Sequence, residues 1–248
     1  MEPLVTSHRI LEAFDSSHKD GLGILHGDLF DSRAPVALSA LEAVGRLSDP
    51  RSFPYVARLL TGAQEDVQVA CVRALATIRH PDVARLLRDL SRTVRAERLR
   101  REILASLALS APSDRDVAAM IRQAVRAPLG SAGSRAHAAG LLLKIGGEIA
   151  LEDLLTDARE EVLDQVISSA SADPSLLPRT VAHCAPLFAR LTARNRAILA
   201  GLAAGQPLPQ SAAILRDALG DPNGEVRRAA YAALGKDPHQ VPWFSEIT

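Results

Sequence analysis

The sequence predicts an all-α fold, a solenoid of stacked helical hairpins, and three observations lead to this prediction. The first is an apolar pattern that returns after 31 residues and again after 31 more. Its members are Leu41, Ala43 and Leu47, then Val72, Ala74 and Ile78, then Ile103, Ala105 and Leu109. Self-similarity at such a period indicates stacked units, each of which buries its apolar face only against a neighbour.

The second observation is the composition of the chain, and the third is the residues that separate the apolar segments. Hydrophobic residues make up 47% of the chain and aromatic residues only 3%. The core must therefore consist of Leu, Ala, Val and Ile, which suit close helix packing. Asp-Pro and Gly recur between the apolar segments, at the places where helices begin and end.

Residues 221–235 show the first helix of a unit most clearly. Asp221 is expected to cap this helix, Pro222 to lie in its first turn and Gly235 to end it. Its predicted apolar face consists of Val226, Ala229, Ala230, Ala233 and Leu234.

Residues 34–60 show how the second helix of a unit follows the first. After a first helix that ends near Leu47, Ser48-Asp49-Pro50-Arg51 predicts a tight turn. Apolar residues then repeat at helical spacing at Phe53, Val56, Leu59 and Leu60. Each unit is therefore predicted to be a helical hairpin. Gly45 and Ala76 occupy equivalent positions in consecutive first helices, where a small residue is expected to allow a close helix–helix approach.

Along the chain this pattern predicts about seven antiparallel helix pairs and a partial eighth. The first helices are expected near 4–14, 34–47, 66–78, 95–109, 134–145, 159–171, 192–204 and 223–235. The second helices are expected near 19–29, 52–61, 82–91, 114–126, 148–156, 175–190 and 208–219. Residues 1–248 are predicted to form a single domain. The eighth unit lacks a second helix, so the tail with Pro242, Trp243 and Phe244 either caps the stack or the chain is an excerpt of a longer protein.

Two strings resemble a known repeat family. Asp-Pro-x-x-Glu-Val-Arg-x-x-Ala at 221–230 and Asp49-Pro50-Arg51 after Ala-Val-Gly-Arg-Leu are similar to HEAT repeats, in particular the short bacterial kind also called phycobiliprotein-lyase-type repeats. The resemblance is strong at 34–91 and weak at 159–219, where prolines interrupt the second helix. It implies a right-handed superhelix of antiparallel helix pairs and, most often, a scaffolding or adaptor role. It implies no reaction.

The charge balance and the cysteines bound the environment of the chain. Its 29 basic and 29 acidic residues cancel, which removes the broad positive field that a nonspecific nucleic-acid binder needs. Cys71 and Cys184 are too few for a disulfide framework, and Cys71 falls at a core position. No apolar run approaches the roughly 18 residues of a membrane span. A cytoplasmic location is therefore expected.

The densest group of metal-ligand side chains consists of His18, Asp20, His26 and Asp28. Their spacing matches no common ligand motif, and a solvated loop with capping aspartates is the simpler interpretation. We therefore predict no metal site and no cofactor.

Catalytic motifs are also absent from the sequence. Iron-dependent hydroxylases built from such repeats carry His-Glu pairs, and none of the seven histidines here is followed by Glu. The glycine-rich segment 21–27 lacks both a preceding strand and the Gly-Lys-Ser/Thr ending of a phosphate-binding loop. Cys71 is expected to face the core, away from the electropositive setting that activates a nucleophile. We therefore predict that the chain is not an enzyme.

Two segments carry strong and opposite charge. Seven arginines lie between positions 85 and 101 against Asp89 and Glu97. We call them the arginine cluster, and they are Arg85, Arg88, Arg92, Arg95, Arg98, Arg100 and Arg101. Between Glu148 and Asp173, eight carboxylates face a single arginine. Either these charges are solvated and bridge adjacent repeats, or they are complementary docking surfaces for a charged protein or for head-to-tail self-association.

The leading functional hypothesis is a noncatalytic protein–protein interaction scaffold or adaptor, whose concave face is lined by the second helices. One alternative is a nucleic-acid-binding helical-repeat protein, against which the neutral charge, three lysines and scarce aromatics argue. Another is a bilin-lyase-like subunit that acts with a partner, which rests on the repeat family's name alone. The partner of the leading hypothesis is a protein that the sequence does not identify.

Overall fold

The computed structural model describes residues 20–127, 130–157, 159–203, 206 and 209–235, except the side chains of residues 20 and 147–149. These parts contain α-helices, short 3-10 helices and turns, and no strand. The α-helices are α1 (Asp20–Asp28), α2 (Ala34–Leu47), α3 (Phe53–Leu60), α4 (Glu65–Thr77), α5 (Val83–Thr93), α6 (Glu97–Ser110), α7 (Arg115–Arg126), α8 (Ala132–Leu155), α9 (Glu160–Ala172), α10 (Leu177–Cys184), α11 (Ala193–Ala203), α12 (Pro209–Leu219) and α13 (Gly224–Ala233). The predicted all-α fold is confirmed, and the helices pack neighbour to neighbour as in an α-solenoid.

The chain divides into two compact units, residues 1–121 and 122–248, and the division falls within α7. The single domain predicted for residues 1–248 stays a prediction. The helix predicted at 4–14 and the tail from 236 onward lie outside the described residues.

In unit 1 the first helices α2, α4 and α6 stack in chain order, and the second helices α3 and α5 each pack against the first helix that follows them. The 31-residue pattern is the reason for this order. Leu41, Val72 and Ile103 occupy the same repeat position and are fully buried between the stacked helices.

Leu109 is the member of the predicted pattern that the structure contradicts, since its side chain is 65% exposed. Leu107 is fully buried instead. Two residues along a helix are about 200° apart around its axis, so burying Leu107 turns Leu109 to the opposite side.

The close approach expected at Gly45 is confirmed. A Cβ at this position would lie 3.4 Å from the Cα of Ala74 in the neighbouring helix. The hydroxyl of Thr77 donates a hydrogen bond of 2.7 Å to the carbonyl of Gly45. The missing side chain therefore lets α2 and α4 touch through their backbones.

In unit 2 the first helices α8, α9, α11 and α13 pack in chain order. Here the two helices predicted at 134–145 and 148–156 are wrong, because Ala132–Leu155 is one continuous helix. A Cβ at Gly146 would lie 2.7 Å from the Cβ of Ala150, whereas positions i and i+4 of a regular helix are about 5–6 Å apart. The helix is therefore bent at Gly146, and the bend replaces the expected turn.

The second helix predicted at 175–190 is also wrong in detail. A 3-10 helix at Pro174–Leu176, α10 and a second 3-10 helix at Ala185–Arg190 follow one another there. Pro178 lies in the first turn of α10, and Pro186 lies in the first turn of the second 3-10 helix. Proline is tolerated at that position because no hydrogen bond from its nitrogen is needed, so each proline starts a new short helix.

The cap predicted for the last helix is wrong by two residues. Asn223 is the N-cap of α13, since its side chain accepts a hydrogen bond from the amide of Glu225. The carboxylate of Asp221 accepts a hydrogen bond of 2.8 Å from the amide of Asn223 and forms an ion pair with Arg196. Gly235 follows the helix with a φ of 64°, so its predicted role at the helix end is confirmed.

Candidate interaction surface

The second helices α1 and α3 of unit 1 lie side by side, and aromatic contacts join them. The rings of His26 and Tyr55 stack with centroids 3.9 Å apart, and His26 Nε2 lies 2.9 Å from the hydroxyl of Ser52. The guanidinium of Arg58 lies 5.5 Å above the ring of Phe30, which lies in the turn after α1. Residue 26 contacts residue 55 and residue 30 contacts residue 58, so the two segments run in the same direction.

Several of these side chains are exposed although they are large and apolar. Ile24 is 53% exposed, Phe30 45% and Tyr55 42%. We call His26, Phe30, Tyr55 and Arg58, which the ring contacts join, the aromatic patch. Exposed apolar side chains that lie together mark interaction sites, and aromatic residues and arginine are enriched in protein interfaces. In a chain with only 3% aromatic residues, this concentration makes the patch the candidate functional site.

Helical phase explains why the patch points outward. Leu25 in α1 and Val56 in α3 are fully buried. Ile24 and Tyr55 each precede one of these buried residues, so they lie on the adjoining outward face. The sequence prediction missed these exposed apolar positions, although a signal was present: positions 24 and 55 are separated by 31 residues, the repeat period.

His26, one of the four candidate metal ligands, lies in the aromatic patch. Burial lowers its pKa, and the opposing effect of the Asp49 carboxylate is smaller. The imidazole is therefore neutral near pH 7, which suits its stacking on Tyr55. Of the other candidate ligands, His18 and the side chain of Asp20 lie outside the described residues. Within the described part of the chain, no group of three or more His, Cys, Asp or Glu side chains could hold a metal ion.

The structure gives most of the arginine cluster carboxylate partners within the chain. In α5, Arg85 pairs with Asp82 at 2.9 Å and Arg92 pairs with Asp89 at 2.9 Å. Arg88 reaches Asp114 at 3.2 Å and Asp116 at 3.4 Å. These pairs cancel most of the local excess of positive charge.

The remaining arginines lie on the turn before α6 and on α6 itself. Arg98 pairs with Asp66 of α4 at 2.5 Å, and Arg100 donates to the carbonyl of Val94 at 2.8 Å. Arg95 and Arg101 are exposed and have no ion pair with any described residue. The cluster is thus spread over a second helix, a turn and a first helix.

The acidic segment of unit 2 is paired in the same way. Glu152 lies 2.6 Å from Arg179 of α10, and Asp153 lies 2.9 Å from Arg122 of α7. Glu161 pairs with Arg135 of α8. The side chain of Glu148 lies outside the described residues. Ion pairs between adjacent repeats, one of the two predicted interpretations, therefore occur in both charged segments.

Cys71 is buried between the first helices, as predicted, and Cys184 is buried as well. Burial raises the pKa of each thiol to about 12. Both thiols are therefore protonated at neutral pH and are poor nucleophiles.

No helix in the described parts of the chain combines the length and the apolar character needed to cross a membrane. Residues 28–108 match the family described as HEAT repeats, which confirms the resemblance to HEAT repeats over that range, whereas the phycobiliprotein-lyase type stays a prediction. No curated protein matches the chain in sequence.

The solved structures that are similar to the chain include the following two. One is human deoxyhypusine hydroxylase in complex with glycerol, with 19% identity, 93% of this chain and 89% of that chain covered, and a TM-score of 0.38. The other is an engineered protein with 16% identity, 86% and 97% covered, and a TM-score of 0.37. Likeness at this level does not bear on function, so the enzymatic nature of the first neighbour does not pass to this chain.

Proposed function

We propose that the chain is a noncatalytic protein-binding module, a scaffold or adaptor, and that it holds its partner against the second-helix surface of unit 1. The observation that carries the proposal is the aromatic patch. HEAT repeats commonly mediate protein–protein interaction, and residues 28–108 match that family. The partner would bury Phe30 and Tyr55, which are now exposed.

The charges on α5 of the same unit favour a protein partner over a nucleic acid. A nucleic-acid surface needs arginines and lysines that are free to neutralise phosphates. On α5, each of Arg85, Arg88 and Arg92 already contacts a carboxylate. Such pairs leave little uncompensated charge for a phosphate backbone.

Replacing Phe30 and Tyr55 together by Ser is expected to weaken partner capture by at least about tenfold, because buried anchor residues carry most of an interface's binding energy. The wild-type chain would be used to capture the partner from the source cells, and the partner would be identified. Its Kd would then be measured for the wild type, the double variant and a control variant. The matched control is Leu109→Ser, which removes an exposed leucine from a first helix of the same unit. If the control loses the partner and the double variant keeps it, the binding surface lies on the first helices instead.

The proposed docking role of the arginine cluster is tested separately. Changing Arg92, Arg95 and Arg98 to Glu is expected to reduce capture, because charge reversal repels an acidic partner. The melting temperature should stay nearly constant, since exposed ion pairs contribute only about 0–1 kcal/mol. Arg95 has no carboxylate partner among the described residues. Arg95→Glu alone should therefore cause the largest part of the loss of capture.

Salt provides the second measurement for the arginine cluster. Capture that depends on these charges should weaken as salt rises, because screening limits their reach to about 8 Å at physiological ionic strength. A folded triple variant that still captures every partner would show that these arginines only bridge adjacent repeats.

A further inference from the structure

A cleft lies between α8 and the C-terminal half of α9 in unit 2. Its volume is about 320 Å³, and its apolar wall includes Leu141, Leu143 and Leu176. Sites for small molecules typically enclose about 300–1,000 Å³ and combine apolar walls with a few polar groups. The cleft is therefore large enough for a small ligand.

Two opposite charges line this cleft without pairing with each other. The ammonium of Lys144 forms no ion pair with a described residue. Asp173 accepts two hydrogen bonds from Ser175 on Oδ1, from the amide at 3.0 Å and from the hydroxyl at 2.8 Å. Its Oδ2 makes no such bond. These hydrogen bonds lower the pKa of Asp173, so the carboxylate is ionised at neutral pH.

Neutral polar groups also line the cleft. The amide nitrogen of Gln165 donates to the hydroxyl of Ser169 at 3.2 Å, which leaves the amide oxygen of Gln165 as an acceptor. A Cβ at Gly140 would lie 3.1 Å from that nitrogen. The absence of a side chain at Gly140 therefore lets the Gln165 amide lie against the backbone of α8.

We propose that this cleft binds a small zwitterion with an aliphatic body, of the chemical class of a free α-amino acid. The ligand carboxylate pairs with Lys144, and the ligand ammonium binds Oδ2 of Asp173 and the amide oxygen of Gln165. The aliphatic part packs on the leucine wall. Lys144 and Asp173 are both exposed to solvent, and a zwitterion can form charge-assisted hydrogen bonds with both of them, whereas an anion or a cation can do so with only one. The proposal is independent of the protein-binding surface in unit 1.

The first test varies the ligand. The full chain is titrated calorimetrically with free amino acids, and the best binder is then compared with its N-acetyl and its amide derivatives. Each derivative removes one ligand charge, so each is expected to bind at least about tenfold more weakly. The proposal is overturned if no amino acid binds at about 10 mM, or if the derivatives bind as well as the parent compound.

The second test varies the protein. Lys144→Met and Asp173→Asn are each expected to weaken binding at least about tenfold. Asn at 173 retains an oxygen that can accept the bonds from Ser175, so the turn is preserved. Arg190→Met and Asp217→Asn make the same charge changes at exposed positions of unit 2 outside the cleft, and they should bind like the wild type. Folded cleft variants that bind as tightly as these controls would refute the assignment.

Discussion

Replacing Asp221 by Ala is expected to lower the free energy of unfolding by about 3–5 kcal/mol, the cost of leaving one member of a buried ion pair without its partner. Asp221 is 4% exposed and Arg196 is 15% exposed. The guanidinium binds both carboxylate oxygens, at 2.6 and 3.1 Å. The pair joins α11 to the turn before α13, so its loss weakens the packing of two consecutive first helices. Urea denaturation of the wild type and the variant measures the difference.

Asp49→Ala is the matched control for this prediction. Asp49 and Asp221 both begin an Asp-Pro turn. The side chain of each accepts a hydrogen bond of 2.8 Å from the backbone amide two residues later. The arginine partner of Asp49, however, is 60% exposed, and an exposed pair contributes about 0–1 kcal/mol. Equal losses in the two variants would mean that the turn, and not the buried pair, stabilises the chain.

The effect of Asp221 should also depend on pH. Burial alone would raise the pKa of this carboxyl, but the hydrogen bonds from Arg196 and Asn223 outweigh burial and hold the pKa below its usual value. The unfolded chain therefore binds the proton more tightly than the folded chain does. The stabilisation is present above the unfolded pKa of about 3.9 and is lost as pH falls through the lower folded value. The difference between the wild type and Asp221→Ala should accordingly shrink in acid.

Replacing Gly146 by Ala is expected to destabilise the chain by about 1–3 kcal/mol, the usual cost of forcing an extra carbon into a packed site. The new Cβ would lie 2.7 Å from the Cβ of Ala150. Both atoms are attached directly to the backbone, so the bend in α8 itself has to open. Thermal denaturation followed by circular dichroism measures the loss.

Gly201→Ala, in the same unit, is the control and is expected to stabilise the chain. Gly201 lies in α11, and nothing would come within 4 Å of an added Cβ. Alanine is favoured over glycine in a helix by up to about 1 kcal/mol, so this variant should be slightly more stable than the wild type. If Gly146→Ala is stabilising as well, α8 is not constrained by its bend.

Local patterns predicted the helices because the interactions that begin and end a helix lie within a few residues. The predicted helix 34–47 is observed as Ala34–Leu47, and Asp49 accepts the amide of Arg51 in the predicted turn. The 31-residue repeat predicted the stacking order, since Leu41, Val72 and Ile103 occupy the same repeat position and are each buried between stacked first helices. These features depend on short-range spacing and on the period of the pattern.

The tertiary structure decided which charged and apolar side chains face each other. Arg196 and Asp221 are 25 residues apart in the chain, and nothing in their local sequence separates this buried pair from the exposed pair of Asp49 and Arg51. Likewise, nothing in the local sequence shows that Leu109 is exposed or that α8 bends at Gly146. The sequence by itself determined most of the helices and their order, because both follow from local hydrogen bonding and a fixed repeat, but it missed the continuous α8 and the interrupted segment 174–190. Burial and pairing depend on the rotation and separation of neighbouring helices, and only packing sets these.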